Sequence, residues 1–254
     1  MRTAHLSWRR FGAQPDTVAP GIVLLHGFTD SADCWEPVAA GLTAEVPAIA
    51  LDARGHGASG LPDEPVGPHR QAADVALVLD ALGLSAMTVI GHSMGAVTAC
   101  ALAADRPDLV RTLVLEDPPP VWEPTVVAEP PPWIVELKAL DHAGRVARGR
   151  AENPAWPPTE FDAWSRSKDE FDLRFCALPY EPAVPLADLL ARTACPALLL
   201  HGDPVRGGLL TGDDVAACVA AGGGRVTARH LDAGHCVRRD DPAAFLAAVA
   251  EHLG

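Results

Sequence analysis

Six short apolar runs, each closed by turn residues, mark the chain: "GIVLLHG" at 21–27, "PAIALDARGHG" at 47–57, "MTVIGHS" at 87–93, "VRTLVLED" at 110–117, "PALLLHGD" at 196–203 and "RVTARHLD" at 225–232. Runs this short, without strict polar alternation, suit strands covered on both faces, which is how parallel sheets are built. Between them, 69–84 sets Val75, Val78, Leu79 and Leu82 on one helical face, 94–105 is rich in Ala and other small residues, and 241–253 reads as a C-terminal helix. Strand alternating with helix predicts an α/β fold with a doubly wound, mostly parallel sheet. The segment 5–12, "HLSWRRFG", adds a short antiparallel edge strand.

One stretch breaks the alternation. Residues 118–185 hold 13 of the 24 prolines and four of the six tryptophans, Trp122, Trp133, Trp156 and Trp164. A flexible proline-rich loop is the plain alternative, but tryptophans tend to be buried. The segment is therefore expected to be a small helical cap inserted after the strand ending near Asp117, with helices near 132–150 and 158–177. Residues 1–117 and 186–254 then form the core of a single domain, which suits a chain of 254 residues that is 48% hydrophobic.

Bulk properties exclude several functions. The net charge of −13, from 33 acidic against 20 basic residues, and the lack of a dense Lys/Arg cluster argue against a nucleic-acid partner. The six cysteines, at 34, 100, 176, 195, 218 and 236, form no C-x-x-C pair, which points to reduced core thiols and a cytoplasmic location. No apolar segment follows the charges of "MRTAHLSWRRFG", and no later run approaches the roughly 18 apolar residues of a membrane span. A soluble protein without membrane contact is expected. No feature specifies an oligomeric state.

The chemistry centres on "VIGHSMGAVTAC", residues 89–100, which places Ser93 between Gly91 and Gly95 where a predicted strand runs into a predicted helix. A turn that sharp crowds the positions two before and two after the serine, and glycine removes the clashing side chains. It leaves the hydroxyl at the sheet edge where open α/β sheets bind ligands. A neutral serine hydroxyl is a poor nucleophile, so it needs a base and a group that orients the base. His235, in "LDAGHCVRRDDP" at 231–242, follows the last predicted strand and is the candidate base. The turn "LLHGFTD" places the Phe28 N–H to pair with that of Met94 as an oxyanion hole. His26, Gly27, Thr29 and His92 lie at strand ends as candidate pocket residues. Each of the histidines at these ends, His56 and His201 included, is equally suited to holding a turn. No metal or cofactor is required.

With "HGFTD", "DARGHGAS", "GHSMG", "GDP" and "GHCVRRDDP" in this order, the chain resembles the α/β-hydrolases over nearly its whole length. "LEDPP" and "DPVRGGLL" are similar to a subgroup of deformylases and amide hydrolases acting on small maleamate-type acids. The resemblance implies an acid after "PALLLHGD" in a G-x-x-D pattern, but here Gly202-Asp203-Pro204-Val205 puts valine there and Asp203 two positions early. In the subgroup the acid follows the earlier strand, which favours Asp117, with Asp203 the alternative. The turn-forming roles of Asp117 before the prolines and Asp203 before Pro204 are the competing explanations. By the same resemblance, Asp52, Arg54 and His56 brace loops beside the site.

The implied activity is a serine hydrolase that cleaves a small-molecule ester or amide through an acyl-enzyme. Dehalogenase and epoxide-hydrolase chemistry is disfavoured because those relatives carry a carboxylate where this chain has Ser93. Carbon–carbon bond hydrolysis or lyase chemistry on the same triad, and a non-catalytic ligand receptor on the same fold, are the competing readings. The four cap tryptophans suggest a walled pocket. Arg238 and Arg239 either attract a substrate carboxylate or pair with Asp240 and Asp241 on the surface. Cys34 and Cys236 fall near the site.

Overall fold

Successive side chains of a strand point to opposite faces, and in this chain both faces are apolar. The computed structural model describes residues 6–15, 17–123 and 129–254. β1 (Trp8–Phe11) is an antiparallel edge strand on β3 (Ala48–Leu51), and β2 (Ile22–Leu25) runs parallel to β3 on one side and to β4 (Met87–His92) on the other. β5 (Val110–Glu116) extends the sheet beyond β4, followed by β8 (Ala197–His201) and β9 (Val226–His230), all parallel. The order is β1-β3-β2-β4-β5-β8-β9, a mostly parallel mixed sheet as the alternation predicts. Trp8 to Phe11 lie within the expected edge segment, while His5 at its start falls outside the described residues.

Val23, Leu25, Ile49, Leu51, Val89 and Leu113 pack with α2 (Pro68–Leu82), α3 (Met94–Asp105), α7 (Leu186–Arg192) and α8 (Gly212–Ala221). Their strand neighbours Ile22, Leu24, Ala48, Ala50, Ile90 and Val114 meet Trp35, α1 (Glu36–Leu42) and α10 (Pro242–Leu253) on the other face. On α2 the buried face uses Ala72, Val75, Ala76 and Leu79, and Leu82 is exposed. α3 is buried from Met94 through Ala103, which is why its composition carries no polar face.

The 118–185 segment is helical, with differences from expectation. In place of one helix over 132–150 there are two, α4 (Pro132–Ala139) and α5 (His142–Glu152). Asp141 separates them by capping the second, its carboxylate accepting the Gly144 N–H at 2.7 Å. The second expected helix is α6 (Glu160–Glu170) followed by a 3-10 turn at Leu173–Ala177. A two-stranded ribbon of β6 (Val121–Trp122) and β7 (Val184–Pro185) ties the ends of the insertion together; pairs this short leave no periodic signal. Between β9 and α10 lies one further turn of helix, α9 (Val237–Asp240).

The chain reverses direction across the sheet at β2, since β3 lies to one side of it and β4 to the other. Ligand crevices form at such switch points, beyond the carboxyl ends of the strands. Here the turns after β2 and β4 meet at unusually close range. A Cβ at Gly95 would stand 2.2 Å from the Leu25 carbonyl oxygen, and one at Gly91 would stand 2.4 Å from the Gly95 carbonyl oxygen. Because those neighbours are backbone, Gly95→Ala has to push α3 off β2, and a stability loss of about 2 kcal/mol or more is expected. Urea unfolding measures it; an unchanged midpoint would refute the packing argument.

Candidate active site

Three strand ends carry non-glycine residues with positive φ: Thr29 at 64° beyond β2, Ser93 at 50° after β4 and Asp117 at 41° after β5. Such backbone is costly for L-residues and persists only where the surroundings hold it. Ser93 is held by its own N–H, which donates to the Glu116 carbonyl at 2.9 Å, and by its carbonyl, which accepts the N–H groups of Ala96 and Val97. Asp117 is fully buried, and its N–H donates to the Leu200 carbonyl at 2.8 Å. Its carboxylate accepts the Leu209 N–H at 2.9 Å, the Gly202 N–H at 3.4 Å and His235 Nδ1 at 2.7 Å. Asp203 is engaged elsewhere: its carboxylate accepts the Val205 N–H at 2.8 Å and caps a short turn, away from His235.

Two cavities meet at Ser93 and Phe28. The larger, about 630 Å³, is bordered by Met94, Pro119, Pro120, Val121, Trp122, Phe175 and Tyr180 among others. The smaller, about 370 Å³, is bordered by His235, His92, Thr29, Trp133, Trp156, Trp164 and Cys236. All four tryptophans of the insertion border the two cavities, Trp122 the larger and Trp133, Trp156 and Trp164 the smaller. Met94 opens α3, where the first N–H groups have no acceptor within the helix, and Phe28 lies in the turn after β2.

Other candidates take bracing roles. His26 Nδ1 donates to the Gly27 carbonyl at 2.9 Å while Nε2 accepts the Ala53 N–H at 3.0 Å, which fixes one neutral tautomer and joins the turns after β2 and β3. Burial also pushes its pKa down. His26 faces a separate cleft, and Gly27 is where the turn presses on His92, since a Cβ there would stand 2.7 Å from that ring. Asp52 accepts the N–H groups of Ala32 and Ala58, Arg54 pairs with Asp74 at 2.7 Å, and His56 Nδ1 donates to the Arg54 carbonyl at 2.9 Å. His201 packs against His230, with ring centroids 5.2 Å apart. The His92 ring lies 4.7 Å from the His235 ring; burial, then Arg238 and His235, hold its pKa well below the ordinary value, so it is neutral. Burial raises the Cys236 thiol to about 11 and also raises that of Cys34, so both are protonated near neutral pH and poor nucleophiles.

Both arginines correct the surface-pairing reading, and Arg238 also the substrate reading. Arg238 is completely buried and Arg239 nearly so, and neither pairs with Asp240 or Asp241. Arg238 donates to Glu116 at 2.9 Å and to Asp30 at 3.3 Å and stacks on Trp35, so it does not reach the cavity. Arg239 borders the smaller cavity but donates to Asp30 at 3.0 Å and to Glu160 at 3.0 Å. Asp240 accepts from Trp156 Nε1 and the Gly234 N–H, and Asp241 caps α10. Lys168, from α6, completes the cluster by donating to Asp30 at 2.8 Å and to the Thr29 carbonyl at 3.0 Å. Sequence reasoning missed Asp30, Glu116, Glu160 and Lys168. The available signal was on α6, where Glu160, Trp164 and Lys168 recur at i, i+4 and i+8 on one face.

With this geometry in view, the comparisons assign the chain. It belongs to the alpha/beta hydrolase family, whose model matches residues 22–249. It is similar to N-formylmaleamate deformylase of Pseudomonas putida, 31% identical over 245 residues that cover 91% of this chain and 88% of that one. It is also similar to the esterase Rv0045c of Mycobacterium tuberculosis, 42% identical over 103 residues, but that stretch is 40% of this chain and only 34% of the esterase. A crystal structure of N-formylmaleamic acid deformylase from Pseudomonas putida S16 superposes with a TM-score of 0.76 at 23% identity, covering 98% of each chain, a likeness of fold. Among the described residues no helix is long and apolar enough to cross a membrane, and no group of three or more His, Cys, Asp or Glu side chains is arranged to hold a metal ion.

Burial acts to raise the Asp30 pKa, but Arg239, Lys168 and Arg238 outweigh it and hold the carboxyl well below the usual range. Asp30→Ala leaves three buried cations short of a partner and is expected to cost about 3–5 kcal/mol in urea unfolding. A carboxyl depressed in the folded state contributes stability above its unfolded pKa of about 3.9 and loses it on further acidification. The wild-type advantage over Asp30→Ala should therefore hold from neutral pH to about pH 4 and shrink below; a gap independent of pH would contradict the assigned charge state.

Proposed function

We propose that the chain is a serine hydrolase that cleaves a carboxylic ester or amide of a small molecule through an acyl-enzyme. The observation that carries this reading is the 2.7 Å bond between His235 Nδ1 and the buried Asp117 carboxylate, on an imidazole that borders the same cavity as the strained Ser93 turn. With its proton committed to Asp117, Nδ1 leaves Nε2 as the lone-pair nitrogen, the form a base must have. Family membership and the similarity to a deformylase and an esterase support the same conclusion.

In the proposed reaction Ser93 Oγ bonds to the substrate carbonyl carbon while His235 Nε2 takes the hydroxyl proton. The Phe28 and Met94 N–H groups stabilise the oxygen that gains charge. As the tetrahedral adduct collapses, the carbon–heteroatom bond breaks and the proton passes from His235 to the leaving oxygen or nitrogen. Water then repeats the sequence on the acyl-enzyme, giving the acid and free Ser93. Asp117 keeps the imidazole in one tautomer and faces the imidazolium as it forms. The 118–185 insertion acts as the cap that walls the site. Six unpaired thiols, five of them buried, support a cytoplasmic location.

A fluorophosphonate probe should label Ser93, as located by peptide mass spectrometry, and Ser93→Ala should abolish both label and turnover. Asp117→Asn should lower kcat by about ten-thousandfold, while Asp203→Asn should leave it within a few-fold. Comparable losses in the two aspartate variants would sink the choice of acid, and labelling that survives in Ser93→Ala would sink the nucleophile.

A further inference from the structure

We propose that the larger of the two cavities meeting at Ser93 takes the acyl part of the substrate, and that this part is apolar and uncharged. The substrate class is then esters or amides of hydrophobic carboxylic acids, a proposal that rests on the Ser93–His235 reading above.

The argument is one of sides. When the carbon–heteroatom bond breaks, the proton that Ser93 gave to His235 goes to the leaving atom, so that atom has to face the imidazole. His235 borders the 370 Å³ cavity and is not among the residues lining the 630 Å³ one. Ser93 and Phe28 border both, so the carbonyl carbon sits at their junction with the leaving group on the His235 side. The remaining substituent on the carbonyl carbon, the acyl chain, points into the larger cavity. That volume falls within the roughly 300–1,000 Å³ usual for ligand pockets, far more than an acetyl or formyl group fills.

The lining sets the chemistry. Pro119, Pro120, Val121, Trp122 and Phe175 present apolar surface, and burial raises the Tyr180 phenol to about 12, which keeps it neutral. Among the described lining residues the one charged side chain is Glu123, an anion, and no Lys, Arg or His faces the space. An acyl group bearing a carboxylate would be desolvated there without a cation to meet it. The two cations bordering the smaller cavity, Lys168 and Arg239, are already bound to Asp30 and Glu160.

The test varies one side of the ester at a time on the intact protein. The first series runs from p-nitrophenyl acetate to p-nitrophenyl octanoate, with the succinate monoester as the anionic acyl probe. The second is the acetates of methyl to octyl alcohols, followed by acid release. Expected is a rise in kcat/KM of about tenfold or more from acetyl to octanoyl, with succinyl no better than acetyl and no comparable gain from the alcohol side. Val121→Trp, which fills the larger cavity, should lower kcat/KM for the octanoate at least tenfold more than for the acetate. A preference for succinyl, or a gain that follows the alcohol and not the acyl chain, overturns the assignment while leaving Ser93 as nucleophile. Absence of turnover in both series also overturns it, and if Ser93 then takes no fluorophosphonate label, the hydrolase reading falls with it.

Discussion

The distance between the start of α3 and the end of β2 sets what this chain can do at its sheet edge. Because Gly95 carries no Cβ, which would collide with the Leu25 and His26 carbonyls, α3 can begin directly against the end of β2. Ser93 is held at positive φ directly before Met94, the first residue of α3. The same crowding explains Gly27, whose missing Cβ lets the β2 turn rest on His92 and Ser93. The Ser93 turn is a packing result first, and the chemistry proposed for it comes second.

That turn would be poorly held without the buried charges around it. Asp30 faces Lys168, Arg238 and Arg239, and Glu116 and Glu160 complete a set of equal positive and negative charge. Buried ion pairs rarely add much net stability over an apolar core, but breaking one leaves an uncompensated charge. Their value here is geometric. Through them the β2 turn, the end of β5, α6 of the insertion and α9 beside His235 are fixed relative to one another. Lys168 also donates to the Thr29 carbonyl, so a side chain from the insertion holds the backbone next to Phe28.

The parts of this arrangement that depend on local pattern were legible in the sequence. β2, β3, β4, β5, β8 and β9 each fall inside the apolar runs, and the spacing of Gly91, Ser93 and Gly95 places the turn, because strand periodicity and steric crowding are properties of neighbours in the chain. The preference for Asp117 over Asp203 rests on family resemblance; the geometry that supports it, Asp203 capping the exposed turn at Val205 while Asp117 meets His235, depends on a loop conformation that no periodicity encodes. Arg238 and Arg239 were misread for a related reason. Nearby Asp240 and Asp241 offered local partners, whereas the actual ones, Glu116, Glu160 and Asp30, are 79 to 209 positions away. The break in the first cap helix at Asp141 follows from a capping preference stronger than the continuing helical pattern.

Two imidazoles lie side by side at the centre of the site, their planes tilted by 41°, and their inequality completes the physical picture. His235 has the buried Asp117 carboxylate 2.7 Å from Nδ1, placed to face the charge the ring gains in the proposed reaction. His92, 4.7 Å away, is kept neutral by burial and by the field of Arg238. If both rings held protons, the imidazolium formed during proposed catalysis would meet a like charge at close range in a low-dielectric setting. Locked to Glu116 and Asp30, Arg238 biases the His92 ring against protonation even though the Glu116 carboxylate lies 3.4 Å from its Nδ1, so that in the proposed reaction the positive charge is left to His235.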